Sequence, residues 1–290
     1  AMSEPVRFGI LGTGNIARQF AAGVAGSARC QIAAVGSRSE PSAAAFAKEH
    51  EIPKAHGSYE ALLADPRVEA VYLSLPNSLH CHWTLQALEA GKHVLCEKPL
   101  ATTAAEARTM FQRAEAKGLL LIEALMYVSH PLTKAVLETV RSGQIGELRM
   151  IRTAFCLSAR TVEGNIRFDP QLAGGALMDV GCYCLSLARL VAGEEPSEAT
   201  GSAHTHASGV DDYAAGTLAF PGGALATFSC GLTVQGDNRA VLGGTEGYLE
   251  TPVPWKPPRA GASYVVASMT PPRQDSPGGK AGPQHETRTV

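Results

Sequence analysis

The sequence has no long apolar run, no excess of one charge sign and no paired cysteine pattern. Nothing approaches the roughly 18 consecutive apolar residues of a membrane span, and the run over 119–122 stops at Glu123. Twenty-five Lys+Arg stand against 27 Asp+Glu, and a net charge of −2 excludes the basic face of a dedicated nucleic-acid binder. Charged residues are 18% of the 290 and apolar ones 45%, ample surface to offset the entropy of ordering the chain. Wholesale disorder is thereby excluded. Ser3-Glu4-Pro5 carries no basic stretch ahead of an apolar core, so no secretory signal is evident. Seven cysteines, odd in number and irregularly spaced, suit reduced thiols. The expectation is a cytoplasmic protein without nucleic-acid or membrane partners.

What is present divides into two halves. Short apolar runs at 6–11, 31–37, 70–75, 92–96 and 119–122 read as strands, with helices to Phe20 and over 43–50, 58–64, 79–90 and 104–117. Apolar strands separated by helices predict a doubly wound parallel sheet, a Rossmann-type α/β domain over residues 1–123. After Gly146 the texture changes. A strand over 148–157, a helix over 177–191 and strands over 198–207, 213–220, 223–232 and 240–242 predict an α+β domain over 124–290. Its open sheet is expected to be mostly antiparallel, with a hairpin turn at Phe220-Pro221-Gly222-Gly223. Eight of the 18 prolines lie between Pro252 and Pro283, so the tail from about 252 is expected to be irregular.

Gly12-Thr13-Gly14-Asn15-Ile16-Ala17 follows the first strand and opens the first helix, the context a dinucleotide fingerprint requires. Gly12 permits the tight turn, Gly14 lets the backbone approach a pyrophosphate, and Ala17 lets helix and strand pack closely. The helix N-terminus adds N–H donors and the positive end of its dipole. The second strand runs into Ser37-Arg38, where an NAD site would place Asp or Glu on the ribose 2′-hydroxyl. A hydroxyl and a guanidinium suit a 2′-phosphate, which predicts NADP(H) rather than NAD(H). The plainer reading of Arg38 is a solvated loop residue. Leu75, Pro76, Asn77 and His80 follow a strand end and are expected to line the cofactor site. Cys96-Glu97-Lys98-Pro99 also lies at a strand's C-terminal end, where open α/β sheets bind ligands, and the proline holds Lys98 extended.

With Gly174-Gly175-Ala176-Leu177-Met178-Asp179-Val180-Gly181-Cys182-Tyr183, these motifs resemble the glucose–fructose oxidoreductase / inositol dehydrogenase / MocA family. His50-Glu51-Ile52-Pro53-Lys54-Ala55-His56-Gly57-Ser58-Tyr59 and Gly209-Val210-Asp211-Asp212 resemble its branch of dimeric dihydrodiol dehydrogenases and NADP-dependent xylose dehydrogenases. The resemblance spans about residues 6–250. It implies NADP(H)-dependent hydride transfer on a sugar, keto-sugar or vicinal diol, at a site of Lys98 and Tyr183 with Asp179 nearby. It also implies that Glu97 and Lys98 serve the cofactor site, and that the open sheet forms a homodimer or higher homo-oligomer. Similar proteins continue further and end in a helix on the first domain; here a proline-rich tail takes that place. The chemistry agrees. Asp179 and Tyr183 are four apart on a helix and share a face. A phenol titrating near about 10 is a poor base at neutral pH, and a lysine ammonium favours its phenolate.

In similar proteins the loop Asn165-Ile166-Arg167-Phe168-Asp169-Pro170 approaches substrate, so Arg167 is expected to orient it, or else to pair with Asp169. Tyr127-Val128-Ser129-His130-Pro131 lacks an arginine that bacterial relatives often carry, and Ala173 replaces the first of three glycines. No metal is expected. His80-Cys81-His82 point apart on a helix, His204 and His206 read as a solvated sheet edge, and Asp211 and Asp212 face opposite sides of a strand. Two other functions fit the motifs: an NAD(P)-dependent glycosidase with transient hydride transfer, and a non-catalytic NADP-binding sensor.

Overall fold

The computed structural model describes residues 4–269 and 283–290. The chain forms two compact units, Ala1–Ala124 with Gln171–Ala173, and Leu125–Pro170 with Gly174–Val290.

The first unit runs β1 (Val6–Leu11), α1 (Asn15–Val24), β2 (Cys30–Gly36), α2 (Glu40–Glu49), β3 (Ala55–His56), α3 (Tyr59–Leu63), β4 (Ala70–Leu73), α4 (His80–Glu89), β5 (His93–Cys96), α5 (Ala104–Lys117) and β6 (Leu121–Glu123). All its strands are parallel, in the order β3-β2-β1-β4-β5-β6. This is a doubly wound sheet, and its order reverses between β1 and β4, where such sheets bind ligands. β4 is buried at every position, as a central parallel strand covered on both faces must be. Helix starts are set locally: Ser39, Ser58 and Thr103 accept the N–H groups of Ser42, Ala61 and Glu106 and so cap α2, α3 and α5. Ile10, Ala17, Val35, Phe46 and Tyr72 form the core on one face of the sheet, and Leu62, Leu73, Leu88, Val94 and Met110 the core on the other.

The second unit contains α6 (Pro131–Arg141), β7 (Leu148–Cys156), α7 (Cys182–Ala192), β8 (Glu198–Thr205), β9 (Asp211–Ala219), β10 (Leu225–Gly231), β11 (Ala240–Gly244), β12 (Gly247–Thr251), β13 (Ser263–Met269) and β14 (Pro283–Thr289). Its sheet has the order β14-β13-β12-β11-β7-β10-β9-β8, and only β7 and β10 run parallel. Leu132 and Val136 of α6 and Leu187 and Val191 of α7 pack with Ile151, Ala226, Leu242 and Leu249 in one core. The sheet's other face carries exposed side chains, Met150, Tyr213 and Leu225 among them.

Two features depart from the sequence expectation. No helix was expected over 131–141, yet α6 has ordinary signals: His130 accepts the Leu132 N–H at 3.0 Å, Pro131 opens the helix, and Leu132 and Val136 recur on its buried side. The tail is the second correction. Among the described residues it is irregular over 252–262, after which β13 pairs with β12, and β14 with β13. Pro252, Pro254, Pro257 and Pro258 fall before β13, and Pro283 is the first residue of the edge strand β14, so no proline interrupts a central strand. Pro271, Pro272, Pro277 and Gly278-Gly279 lie outside the described residues.

Tyr264 shows that β13 belongs to the core, because it is buried and its hydroxyl shares a 3.0 Å hydrogen bond with Thr139 of α6. Tyr264→Ala is therefore expected to destabilise the second unit by about 3–5 kcal/mol, read by denaturant unfolding. An irregular, loosely attached tail would give almost no change.

Candidate functional site

In the first unit the chain leaves β1 at Gly12, whose φ is +103 and whose N–H donates to the Gly36 carbonyl at 3.0 Å. A Cβ at Gly12 would sit 3.0 Å from the Ser74 carbonyl oxygen and 3.2 Å from Leu75, so the turn closes only without a side chain. A Cβ at Gly14 would meet nothing within 4 Å, which leaves that backbone open to an incoming group. Thr13 and Ile16 are half-buried, Asn15 is exposed, and no side chain caps α1. The first amides of the helix thus face outward with their dipole end unneutralised. After β2, Ser37 is buried and its Oγ accepts the Ser39 N–H at 3.3 Å. Arg38 is exposed and lies by the Tyr59 hydroxyl; burial raises the Tyr59 pKa, and the Arg38 charge partly offsets that. No carboxylate lies between the end of β2 and Glu40. These features fit a dinucleotide carrying a 2′-phosphate.

Lys98 is held by its neighbours. Glu97, buried, accepts the Tyr72 hydroxyl at 2.5 Å and the Lys98 N–H at 3.2 Å, and Tyr72 stacks on Phe20 at 3.9 Å. The Lys98–Pro99 peptide is cis. The Pro99 carbonyl lies 2.8 Å from His80 Nδ1, and the Leu100 N–H donates to Glu123 at 2.8 Å. In the run Cys96–Leu100, Lys98 alone is half-buried and the others are buried. His80 was expected to line the cofactor site, but it is fully buried with Nε2 2.8 Å from the Leu75 carbonyl. It braces the Lys98 segment against the end of β4 instead. Asn77 donates to the carbonyl of Ala173, which sits at a left-handed φ of 56.

In the second unit the expected helix begins as a π turn, Leu177–Gly181, in which the Cys182 N–H reaches the Leu177 carbonyl five residues back. Asp179 lies on this turn. Arg167 Nε donates to Asp179 Oδ2 at 2.6 Å, which pairs the two charges. Tyr183, on α7, is buried among the rings of Phe155 at 5.2 Å, Tyr127 at 5.8 Å and Trp255 at 6.0 Å. Tyr127 is fixed by its hydroxyl on Ser186 at 2.9 Å, and Trp255 by its indole N–H on the Ala154 carbonyl at 2.7 Å. Sequence reasoning missed Trp255 because it lies in the proline-rich stretch set aside as irregular. A lone tryptophan within Pro252-Val253-Pro254-Trp255 was the available signal, since so large an apolar side chain is normally buried. Among the described residues, no three His, Cys, Asp or Glu side chains are grouped to hold a metal ion.

Residues 6–125 match the oxidoreductase family with an NAD-binding Rossmann fold, and residues 133–250 match the GFO/IDH/MocA C-terminal domain. The chain is 43% identical over 219 residues to D-xylose 1-dehydrogenase (NADP(+)) 2 of Haloferax volcanii, covering 76% of this chain and 67% of that protein. It is 37% identical over 248 residues to human trans-1,2-dihydrobenzene-1,2-diol dehydrogenase, covering 84% of this chain and 74% of that one. Among solved structures, KijD10, a 3-ketoreductase from Actinomadura kijaniata in complex with NADP and TDP-benzene, superposes with a TM-score of 0.86 at 30% identity. That match covers 99% of this chain and 84% of the other.

Burial holds the His80 imidazole below its ordinary pKa; the Pro99 and Leu75 carbonyls oppose this and the Lys98 ammonium adds to it. The unfolded ring titrates near about 6.5, so as pH falls below that value the unfolded chain gains the proton first. The stability due to neutral His80 is therefore complete above the unfolded pKa and is lost as pH drops toward the folded one. Unfolding midpoints at pH 7.5 and 5.5 are expected to differ less in His80→Asn than in wild type. An equal difference would show that the ring does not titrate with folding.

Proposed function

The chain belongs to the GFO/IDH/MocA oxidoreductase family, and from that premise we propose that it is an NADP(H)-dependent enzyme transferring hydride to or from a carbinol carbon of a sugar, keto-sugar or vicinal diol. The observation that carries the reading is the β1–α1 turn, with bare backbone at Gly12 and Gly14, an uncapped helix, and Arg38 where an NAD site needs a carboxylate. The N–H groups of Thr13, Gly14, Asn15 and Ile16 hold the pyrophosphate, with Gly12 closing the turn beneath them, and Ser37 and Arg38 hold the 2′-phosphate. Leu75, Pro76, Asn77, Glu97 and Lys98 complete the cofactor site. Bound NADP(H) supplies or accepts the hydride.

Tyr183 acts as the acid in reduction, giving its hydroxyl proton to the carbonyl oxygen, and its phenolate takes the proton back in oxidation. Lys98 assists by favouring the phenolate. Asp179 holds Arg167, and the pair orients substrate hydroxyls, which offer the donors and acceptors a charged pair needs. The names of the xylose and dihydrodiol dehydrogenases support a sugar or diol, and the ketoreductase complex supports NADP. Small-molecule chemistry is thus the task, and the exposed sheet face of the second unit supports a homodimer or higher homo-oligomer. On that face Met150 and Leu225 are register partners on β7 and β10.

Lys98→Met and Tyr183→Phe are each expected to lower kcat at least about 100-fold on an aldose and diol panel. Arg38→Ala should weaken NADPH binding about 10- to 100-fold while leaving NADH unchanged. Wild-type rates in either catalytic variant would remove the assigned pair. Release of a leaving phenol from a glycoside without net reduction would move the reading to a glycosidase. For the assembly, Leu225→Glu is expected to convert the oligomer to monomer in light scattering. A wild-type monomer would exclude it.

A further inference from the structure

The helical segment that carries Asp179 and Tyr183 begins without a side chain that caps it. Its leading residues are Gly174, Gly175 and Ala176, and no cap hydrogen bond comes from Ala176. The acceptor is supplied from another element. Asp211, the first residue of β9, takes the Leu177 N–H on its Oδ2 at 2.7 Å. The same carboxylate accounts for Gly175. A Cβ there would lie 2.1 Å from Asp211 Oδ1, and the backbone sits at φ +120, which side chains rarely adopt. Gly174 is closed in as well, since its Cβ would lie 2.4 Å from the Arg167 carbonyl oxygen.

These bonds form a closed circuit. Gly175 donates its N–H to the Arg167 carbonyl at 2.8 Å and accepts the Asp179 N–H at 3.0 Å, while Arg167 Nε returns to the Asp179 carboxylate. Leu177 is also the residue at which five-residue spacing starts, and a π turn inserts one residue relative to α spacing. Holding the amide of Leu177 therefore fixes the register in which Asp179 and Tyr183 emerge. A carboxylate suits that place, because the positive end of the helix dipole is there. Asp212 takes no part: it is buried, 2.6 Å from His204 Nδ1, and accepts the Thr233 hydroxyl at 2.8 Å.

The geometry points to Asp211 as a positioning residue for the proposed reaction, acting through the Leu177 amide on Asp179 and Tyr183 without touching substrate. The assignment rests on the roles proposed above for those two residues. Asp211→Ala is expected to lower kcat on the order of tenfold, as loss of a helix cap that holds catalytic groups would, with KM for NADPH unchanged. Asp211→Asn keeps an acceptor oxygen and should recover most of the rate. By hydrogen exchange, amides 176–183 should exchange faster than wild type in Asp211→Ala and near wild type in Asp211→Asn. NADPH affinity, measured by calorimetry, should be the same in all three. Unchanged kcat and exchange in Asp211→Ala would overturn the assignment, as would joint loss of NADPH binding and kcat in both variants. If wild type binds NADPH but turns over no sugar or diol, the proposed function fails, and exchange alone then decides whether Asp211 sets the turn.

Discussion

A Cβ at Gly12 would lie 3.0 Å from the Ser74 carbonyl, and one at Gly175 would lie 2.1 Å from the Asp211 carboxylate. In each unit a helix that matters for the proposed chemistry starts from backbone that cannot carry a side chain. The two starts then diverge in what they leave open. α1 is capped by no side chain, and Gly14 has nothing within 4 Å of a Cβ position, so its amides are available to a ligand phosphate. The helix leading into α7 has its amide at Leu177 already bonded to Asp211, so its task is to hold residues and not to bind an anion. One local shape, glycine before a helix, serves two purposes, and the partner atom decides which.

The first unit was legible because its signals are local. Glycines after a strand, the absence of Asp or Glu between the end of β2 and Glu40, and the Glu97-Lys98-Pro99 run all lie within a few residues of the structure they specify. The second unit was legible only where periodicity is strong. α6 carried its cap and its Pro131 in plain view, whereas β12, β13 and β14 are short strands beside a proline-rich stretch, and proline density argued against them. Asp211 could not have been found by spacing. Its partner lies 34 residues away, and only the fold that starts β9 beside Gly175 brings the two together. The alternation that separates Asp211 from Asp212 was readable, but which of the two would face the helix was not.

His80 makes a related point about where a residue acts. Position after a strand end suggested a lining group, yet burial and two carbonyl neighbours turn the ring inward. A neutral imidazole donates to only one carbonyl at a time. The ring therefore couples the end of β4 to the Pro99 carbonyl through a single donated bond that can sit on either side. Together with Tyr72 on Glu97 and Glu123 on Leu100, this limits the freedom of the backbone on both sides of Lys98. A lysine stem has four carbons and many rotamers, so fixing its backbone removes only part of its entropy. It still determines from where the ammonium sets out.

The rings around Tyr183 bear on the proposed reaction through position. Phe155, Tyr127 and Trp255 lie around its ring, and the Tyr127 hydroxyl and Trp255 indole N–H donate to Ser186 and to the Ala154 carbonyl. In the oxidative direction a phenolate is favoured by a cation, the role proposed for Lys98, and an ammonium suits it because it is compact and its charge is concentrated. Rings fixed by their own hydrogen bonds hold the tyrosine ring in one place, which is what a proton donor aimed at a single oxygen requires.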